Sequence, residues 1–361
     1  MLWDLRRKFS ATGSSWRQTD WSCPCACRAD NPEKLDLPGL SVYGNTKNWE
    51  FKICDRKQEI ENMKPKTGFP SFAPAPEPSG CNSGLEAISL IEKMHQTRCG
   101  AIHYYTDILN PEELTLVFLP GLSADHRLFD KQVEYFEGKY NIFVWDAPAH
   151  AASRPFSFDF DLFDKAKWLE EILIKEKIKS PVIVGQSMGG YLAQAYSELY
   201  PDRLKGLISI DAAPLQKKYV TWAERWLLKG MEPLYYAYPW KLILKFGTAG
   251  VATTEYGRAL MRKMWMVYDG DKRYYAKLVG HGYRILAEAM EKDLPYEIKC
   301  PALLICGQKD HAGSCIRYNK AWHRNTGIPL QWIEGAAHNS NTDRPDVVNA
   351  LIEKFACGLE I

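Results

Sequence analysis

Two kinds of patterning alternate along most of the chain. Short, nearly all-apolar runs at 114–119, 141–145, 181–185, 204–210, 301–306 and 330–333 read as strands buried on both faces. Between them, apolar residues recur at helical spacing over 127–136, 161–178, 191–196 and 345–355. The clearest helix is 161–178, where Leu162, Ala166, Leu169, Ile172 and Leu173 form one stripe. Alternation at 100–105 predicts a further strand. Ser83-Gly84-Leu85-Glu86 has the form of a capping box, and Leu85, Ile88 and Ile91 behind it predict a helix over 84–95. Buried strands alternating with helices predict an α/β fold with a mostly parallel, doubly wound sheet.

The rhythm breaks twice. Residues 1–82 carry no sustained period and end in Pro70-Ser71-Phe72-Ala73-Pro74-Ala75-Pro76-Glu77-Pro78, an extended, polyproline-like linker. They read as an irregular extension with at most a short element near 49–53, or as sequence upstream of a start at Met63 or Met94. Residues 214–293 show helical patterns and no convincing strand, and crowd in Trp222, Trp226, Tyr235, Trp240, Trp265, Tyr275 and Tyr283. The expected organisation is an extension (1–82), a core from 83–213 and 294–361, and a helical insert (214–293). An insert after a sheet strand would form a lid over the C-terminal edge, where such sheets bind ligands.

At the end of the run 181–185 stands Gly185-Gln186-Ser187-Met188-Gly189-Gly190, followed by a helical pattern from Tyr191. Strand, tight turn and helix are the context of a nucleophile elbow. Side chains at positions 185 and 189 would collide with nearby backbone, so both are glycine. Ser187 is the candidate nucleophile, at a helix N-terminus that favours developing negative charge. A serine hydroxyl needs a base, and the base needs a group to orient it. Of eight histidines, His338 alone falls on a loop after the last predicted strand and before the last helix, at the same sheet edge as Ser187. His281 lies in the insert, and His95 and His103 precede the elbow. Asp310, after the strand 301–306, is the preferred acid; Asp211, after the strand 204–210, competes for the role. The amides of Met188 and of Leu122, on the loop after 114–119, are the expected oxyanion donors.

Composition narrows the classes. The chain has 361 residues, 46% hydrophobic and 25% charged, with a formal charge of +2. That balance offers no reason to expect nucleic acid. No apolar run approaches a membrane span, and the basic N-terminus lacks the apolar region of a signal peptide, so a cytoplasmic location is expected. Cys300, Cys306 and Cys315 lie in or near a buried strand and read as small apolar residues. Cys23, Cys25 and Cys27 are spaced too closely for paired zinc ligands, and a metal is not expected.

The blocks Phe118-Leu119-Pro120-Gly121-Leu122, Asp146-Ala147-Pro148-Ala149-His150-Ala151-Ala152-Ser153, Gly185-Gln186-Ser187-Met188-Gly189-Gly190, Gly307-Gln308-Lys309-Asp310 and Gly335-Ala336-Ala337-His338 resemble those of the α/β-hydrolase superfamily. The closest style is the lidded esterases and C–C hydrolases, and the resemblance spans about 92 to 356. That family usually has His-Gly where this chain has Pro120-Gly121, and Gly-His-Gly where it has Ala149-His150-Ala151. Alanine demands a more ordinary backbone than glycine, so that loop is expected to take a different shape. His150 would inherit a structural role.

The resemblance implies hydrolysis through an acyl-enzyme, with Ser187 attacking, His338 moving the proton and Asp310 holding the imidazolium. It implies no cofactor and no metal, and serine speaks against the aspartate chemistry of dehalogenases and epoxide hydrolases. An aromatic lid would favour a small or medium apolar carboxylic ester. The same triad could serve C–C cleavage, acyl transfer or an aminopeptidase, where Glu224 or Glu232 would recognise the amine. A non-catalytic ligand-binding homologue is the reading from a different class. Substrate identity and oligomeric state are left open.

Overall fold

A computed structural model of the chain describes residues 90–359, except 109 and 111. The predicted extension, its linker and Cys23, Cys25 and Cys27 lie outside the described residues.

Eight strands form one sheet: β1 (Ile91–Thr97), β2 (Gly100–Asp107), β3 (Thr115–Leu119), β4 (Asn141–Trp145), β5 (Val182–Gln186), β6 (Gly206–Ile210), β7 (Ala302–Gly307) and β8 (Leu330–Ile333). Their order is β1-β2-β4-β3-β5-β6-β7-β8. β1 pairs antiparallel with β2, and β2 antiparallel with β4; every later neighbour is parallel. β3 to β6 are buried at every position, as continuous apolar runs in a sheet covered on both faces must be. The flanking helices are α1 (Asp130–Phe136), α2 (Leu162–Lys175) and α3 (Met188–Leu199). Asp161 caps α2 through a reciprocal capping box with Asp164, which satisfies two amides that the helix cannot.

Between β6 and β7 the described residues form helices only, chiefly α4 (Trp222–Lys229), α5 (Met231–Ala237), α6 (Glu255–Trp265) and α7 (Lys272–Glu291). Shorter helical turns cover 240–251. α4 and α5 lie on α7, and α7 meets the sheet loops where Gly282 faces the Leu122 side chain. After β7 come α8 (Cys315–Thr326) and, after β8, α9 (Pro345–Cys357).

The helix expected over 84–95 is not formed where the structure describes it. Residues 91–97 are the edge strand β1, hairpinned onto β2 with Thr97 opposite Gly100. Of the stripe Leu85, Ile88 and Ile91, the first two lie outside the described residues and Ile91 is 61% exposed. Lys93 and His95 meet Glu176 at 2.6 Å and Glu171 at 2.9 Å in and beside α2. Over 91–97 seven paired residues outweighed the local helical pattern.

Candidate active site

β5 ends at Gln186, and α3 begins at Met188, leaving Ser187 alone at the turn with φ 49° and ψ −113°. A side chain on Gly189 would fall on the Leu119 carbonyl, and one on Gly185 on the Gly189 carbonyl. Glycine at both positions is a steric necessity, set at Gly185 by the turn's own backbone and at Gly189 by the end of β3.

His338 lies on the loop after β8. Its Nε2 is 2.8 Å from Ser187 Oγ, and its Nδ1 is 2.9 Å from Asp310 Oδ2. Asp310 is buried, and its second oxygen accepts the Ala312 amide at 2.8 Å. Since Asp310 accepts, the Nδ1 proton lies toward it and Nε2 is left to accept from the serine. The three side chains come from loops after β5, β7 and β8, all at one sheet edge. Burial disfavours the charged imidazolium, but the Asp310 charge and hydrogen bond, with a smaller contribution from the Asp211 charge, outweigh it; the His338 pKa is raised.

Asp211 stands at the equivalent strand end without touching His338. Its carboxylate accepts from the Gly307 amide at 2.7 Å and from the Ser340 amide and hydroxyl at 2.8 and 2.6 Å. It thereby ties the end of β7 to the segment following His338. Burial, then the Asp310 charge, raise its pKa.

Met188 is the first helical residue of α3, so its amide has no partner within the helix. Leu122 lies on the loop after β3, where a side chain at Gly121 would strike the Gln186 amide and come within 3.1 Å of Ser187 Cβ. Ser123, with φ 64°, donates its hydroxyl to the Leu122 carbonyl at 2.6 Å and accepts from Trp265 Nε1 at 2.9 Å. A tryptophan of α6 thus fixes the loop that carries Leu122.

Several supports went unnoticed in the sequence. Gln186 donates to the His338 carbonyl at 2.7 Å and to Asn339 Oδ1 at 3.2 Å, joining the elbow to the histidine loop. Asp343 accepts from the Ala337 amide and from the amides of Thr253 and Thr254, each at 2.9 Å. It therefore links the histidine loop to the base of α6. Both are ordinary polar residues whose partners lie far away in sequence, so nothing local marks them.

The loop after β4 departs from expectation. Ala149 and Ala151 have φ of 71° and 36°, the left-handed conformation that glycine would adopt there. The chain keeps the glycine geometry because the loop is over-determined. Asp146 accepts from the His126 and Ala152 amides at 2.9 and 3.0 Å, and Tyr274 donates to the Ala149 carbonyl at 2.9 Å. His150 is buried with Nδ1 on the Pro148 carbonyl, and burial pushes its pKa down to about 3.

The other candidates lie apart. His281 packs between Phe158 and Phe160 on α7, while His95 and His103 pair with surface glutamates. The Glu224 carboxylate accepts from Thr221 within its own capping box and from Tyr318 Oη at 2.6 Å, while Glu232 is exposed with its Cβ against Gly280. Cys306 and Cys315 are buried beside Asp310, and Cys300 is half-buried.

The family model described as alpha/beta hydrolase fold matches residues 115–325. The chain belongs to the α/β hydrolase fold family. A pimeloyl-[acyl-carrier protein] methyl ester esterase of Wigglesworthia glossinidia brevipalpis is 21% identical over 212 residues, which is 57% of this chain and 79% of that protein. A 3-oxoadipate enol-lactonase of Acinetobacter baylyi is 24% identical over 249 residues, 66% of this chain and 86% of its own. Among solved structures, an esterase from Thermogutta terrifontis with malate bound aligns at TM-score 0.60 and 19% identity, covering 75% of this chain and 99% of its own. At that identity the structural likeness speaks for the fold alone. With relatives that are esterases and lactonases in a hydrolytic family, this α/β hydrolase is an enzyme of the hydrolase class. Among its described residues no helix is long and apolar enough to cross a membrane.

Proposed function

We propose that this α/β hydrolase cleaves small or medium apolar carboxylic esters through an acyl-enzyme formed on Ser187. The observation that carries the reading is the unbroken hydrogen-bonded series Ser187 Oγ, His338 Nε2, His338 Nδ1, Asp310 Oδ2. His338 takes the serine proton as Oγ attacks the acyl carbon, and Asp310 stabilises the imidazolium that results. The Leu122 and Met188 amides receive the developing oxyanion. His338 then returns the proton to the leaving alcohol, and water, activated by the same imidazole, releases the acid.

The helical segment 214–293 acts as the lid. Tyr283 of α7 and Tyr235 of α5 stack at 6.3 Å, and Tyr191, near the start of α3, packs against the core. An aromatic surround of this kind favours apolar acyl groups. The relatives named as esterase and lactonase support ester chemistry over C–C cleavage. The engagement of Glu224 by Thr221 and Tyr318 speaks against an amine-recognising peptidase.

Intact-mass analysis after a fluorophosphonate probe, with a panel of aryl esters of increasing acyl length, tests the reading. One adduct on the wild type, absent from Ser187→Ala and slowed in His338→Ala, together with hydrolysis of the shorter esters, is the expected result. Full esterase activity in Ser187→Ala would overturn it. Folded wild type that takes no adduct and turns over no ester would make the chain a ligand-binding member of the family.

A further inference from the structure

The outer side of the helical segment carries large aromatic residues in water. Trp222 and Trp226, one helical turn apart on α4, are 73% and 71% exposed. Along 240–251 the exposed positions include Lys241, Leu242, Lys245 and Phe246, again in pairs one turn apart, so one helix face alternates cation and apolar group. Tyr236, 58% exposed, lies under Lys272. Both faces belong to helices whose buried sides lie on α7: Trp240 rests on Tyr275 at 5.1 Å, and α4 packs along the same helix. The exposed faces therefore turn away from the core.

Residues 214–251 contain six Lys or Arg and two Asp or Glu; Lys217 and Lys229 pair with Asp293 and Glu291, while Lys241 and Lys245 have no ion pair among the described residues. Glu224 is engaged with Thr221, Tyr318 and Arg317, and among the described residues no ion pair joins Glu232 to Lys241 or Lys245. Lys245 instead lies over the Phe246 ring at 5.6 Å. Water gains nothing from holding two tryptophans and a phenylalanine in the open; scattered singly they would need no explanation, but grouped among lysines they do.

We propose that this aromatic and basic face docks on an anionic lipid surface. Tryptophan is suited to the boundary between headgroups and acyl chains, because its ring is apolar and its N–H keeps a polar partner. Lysines around it are drawn to the negative potential of the leaflet. Charge complementarity separates this occupant from a second copy of the chain, whose own face would present the same positive charge. The lid would then be the part of the enzyme in contact with the lipid. The proposal does not depend on the chemistry at Ser187.

Flotation of the full chain with phosphatidylcholine vesicles, with and without about 30% phosphatidylglycerol, tests it. The wild type and Ser187→Ala are expected to float alike with the anionic vesicles, and to be released in about 1 M salt as charges are screened. Trp222→Ala/Trp226→Ala should lower the partition about 10-fold with its thermal midpoint unchanged, and Lys241→Glu/Lys245→Glu should remove the preference for the anionic lipid. Brominated acyl chains should quench wild-type tryptophan emission more than that of the double alanine variant. Flotation that neither variant changes would overturn the assignment of this face. No flotation, with a dimer in light scattering that the tryptophan variant abolishes, would give the face to a second copy instead.

Discussion

A carbon added at Gly185, Gly189 or Gly307, at the edge of the sheet, would strike backbone atoms of the start of α3, of β3 or of the loop before His338. In the segment 214–293 the obstacles are mainly side chains, Trp265 at Gly247 and Leu122 at Gly282, and at Gly250 there is nothing within 4 Å. Exposure divides the same way: eight of the twelve exposed large hydrophobics among the described residues lie between Trp222 and Met266. The sheet edge is fixed by backbone against backbone, which cannot move without breaking ladder hydrogen bonds. The helical segment is fixed by side chains on one face only, so its other face is free to serve a different surface. The hydrogen-bonded side chains of the proposed triad, Ser187, His338 and Asp310, are all held by the first region. The second supplies Trp265, which steadies one loop.

The comparison can be broken at its strongest point first. Ser187→Ala should lower kcat/KM by about 10⁴-fold or more on the best ester, with the folded population unchanged in circular dichroism. Asp310→Asn should cost activity on the order of 10⁴-fold, whereas Asp211→Asn should act chiefly on stability, read by thermal denaturation. The pH profile separates them further. The base form of His338 must be neutral, so kcat/KM falls as pH drops through a raised pKa, above the ordinary histidine value. Without the Asp310 charge, burial is opposed mainly by the smaller Asp211 contribution, and the acid limb of Asp310→Asn should move to lower pH.

A second contrast concerns tolerance. Gly189→Ala should destabilise by about 3 kcal/mol or more, because the new carbon meets the Leu119 carbonyl and neither the start of α3 nor the end of β3 can yield. Trp226→Ala, on the exposed face, should stay within about 0.5 kcal/mol in chemical denaturation. Equal losses from the two would remove the distinction drawn between the regions.

The intermediate case is the contact between them. Trp265→Phe keeps the ring and removes the hydrogen bond to Ser123, and should cost about 1 kcal/mol while lowering kcat more than it raises KM if the Leu122 amide is displaced. A small effect of opposite sign is expected at Ala151→Gly. Relief of the left-handed alanine and the added freedom of the unfolded chain nearly offset each other, leaving a gain of at most about 1 kcal/mol in denaturant titration.

What the sequence determined by itself was local or ordered along the chain. The apolar runs 115–119, 141–145, 182–186 and 206–210 became strands because burial on both faces leaves them few alternatives. The strand, turn and helix around Ser187 follow from glycines whose collisions lie within a few residues and one neighbouring strand. Tertiary structure alone decided the rest. Asp211 and Asp310 both follow parallel strands, and only the paths of the loops after β7 and β8 brought Asp310 to His338 and Asp211 to Gly307 and Ser340. Residues 91–97 became a strand because β2 and the glutamates of α2 lay beside them. Ala149 and Ala151 hold a glycine-like backbone because Asp146 and Tyr274 impose it. In each case the deciding partner is remote in sequence, and a contact energy that exists only after folding has no signature in the residues that receive it.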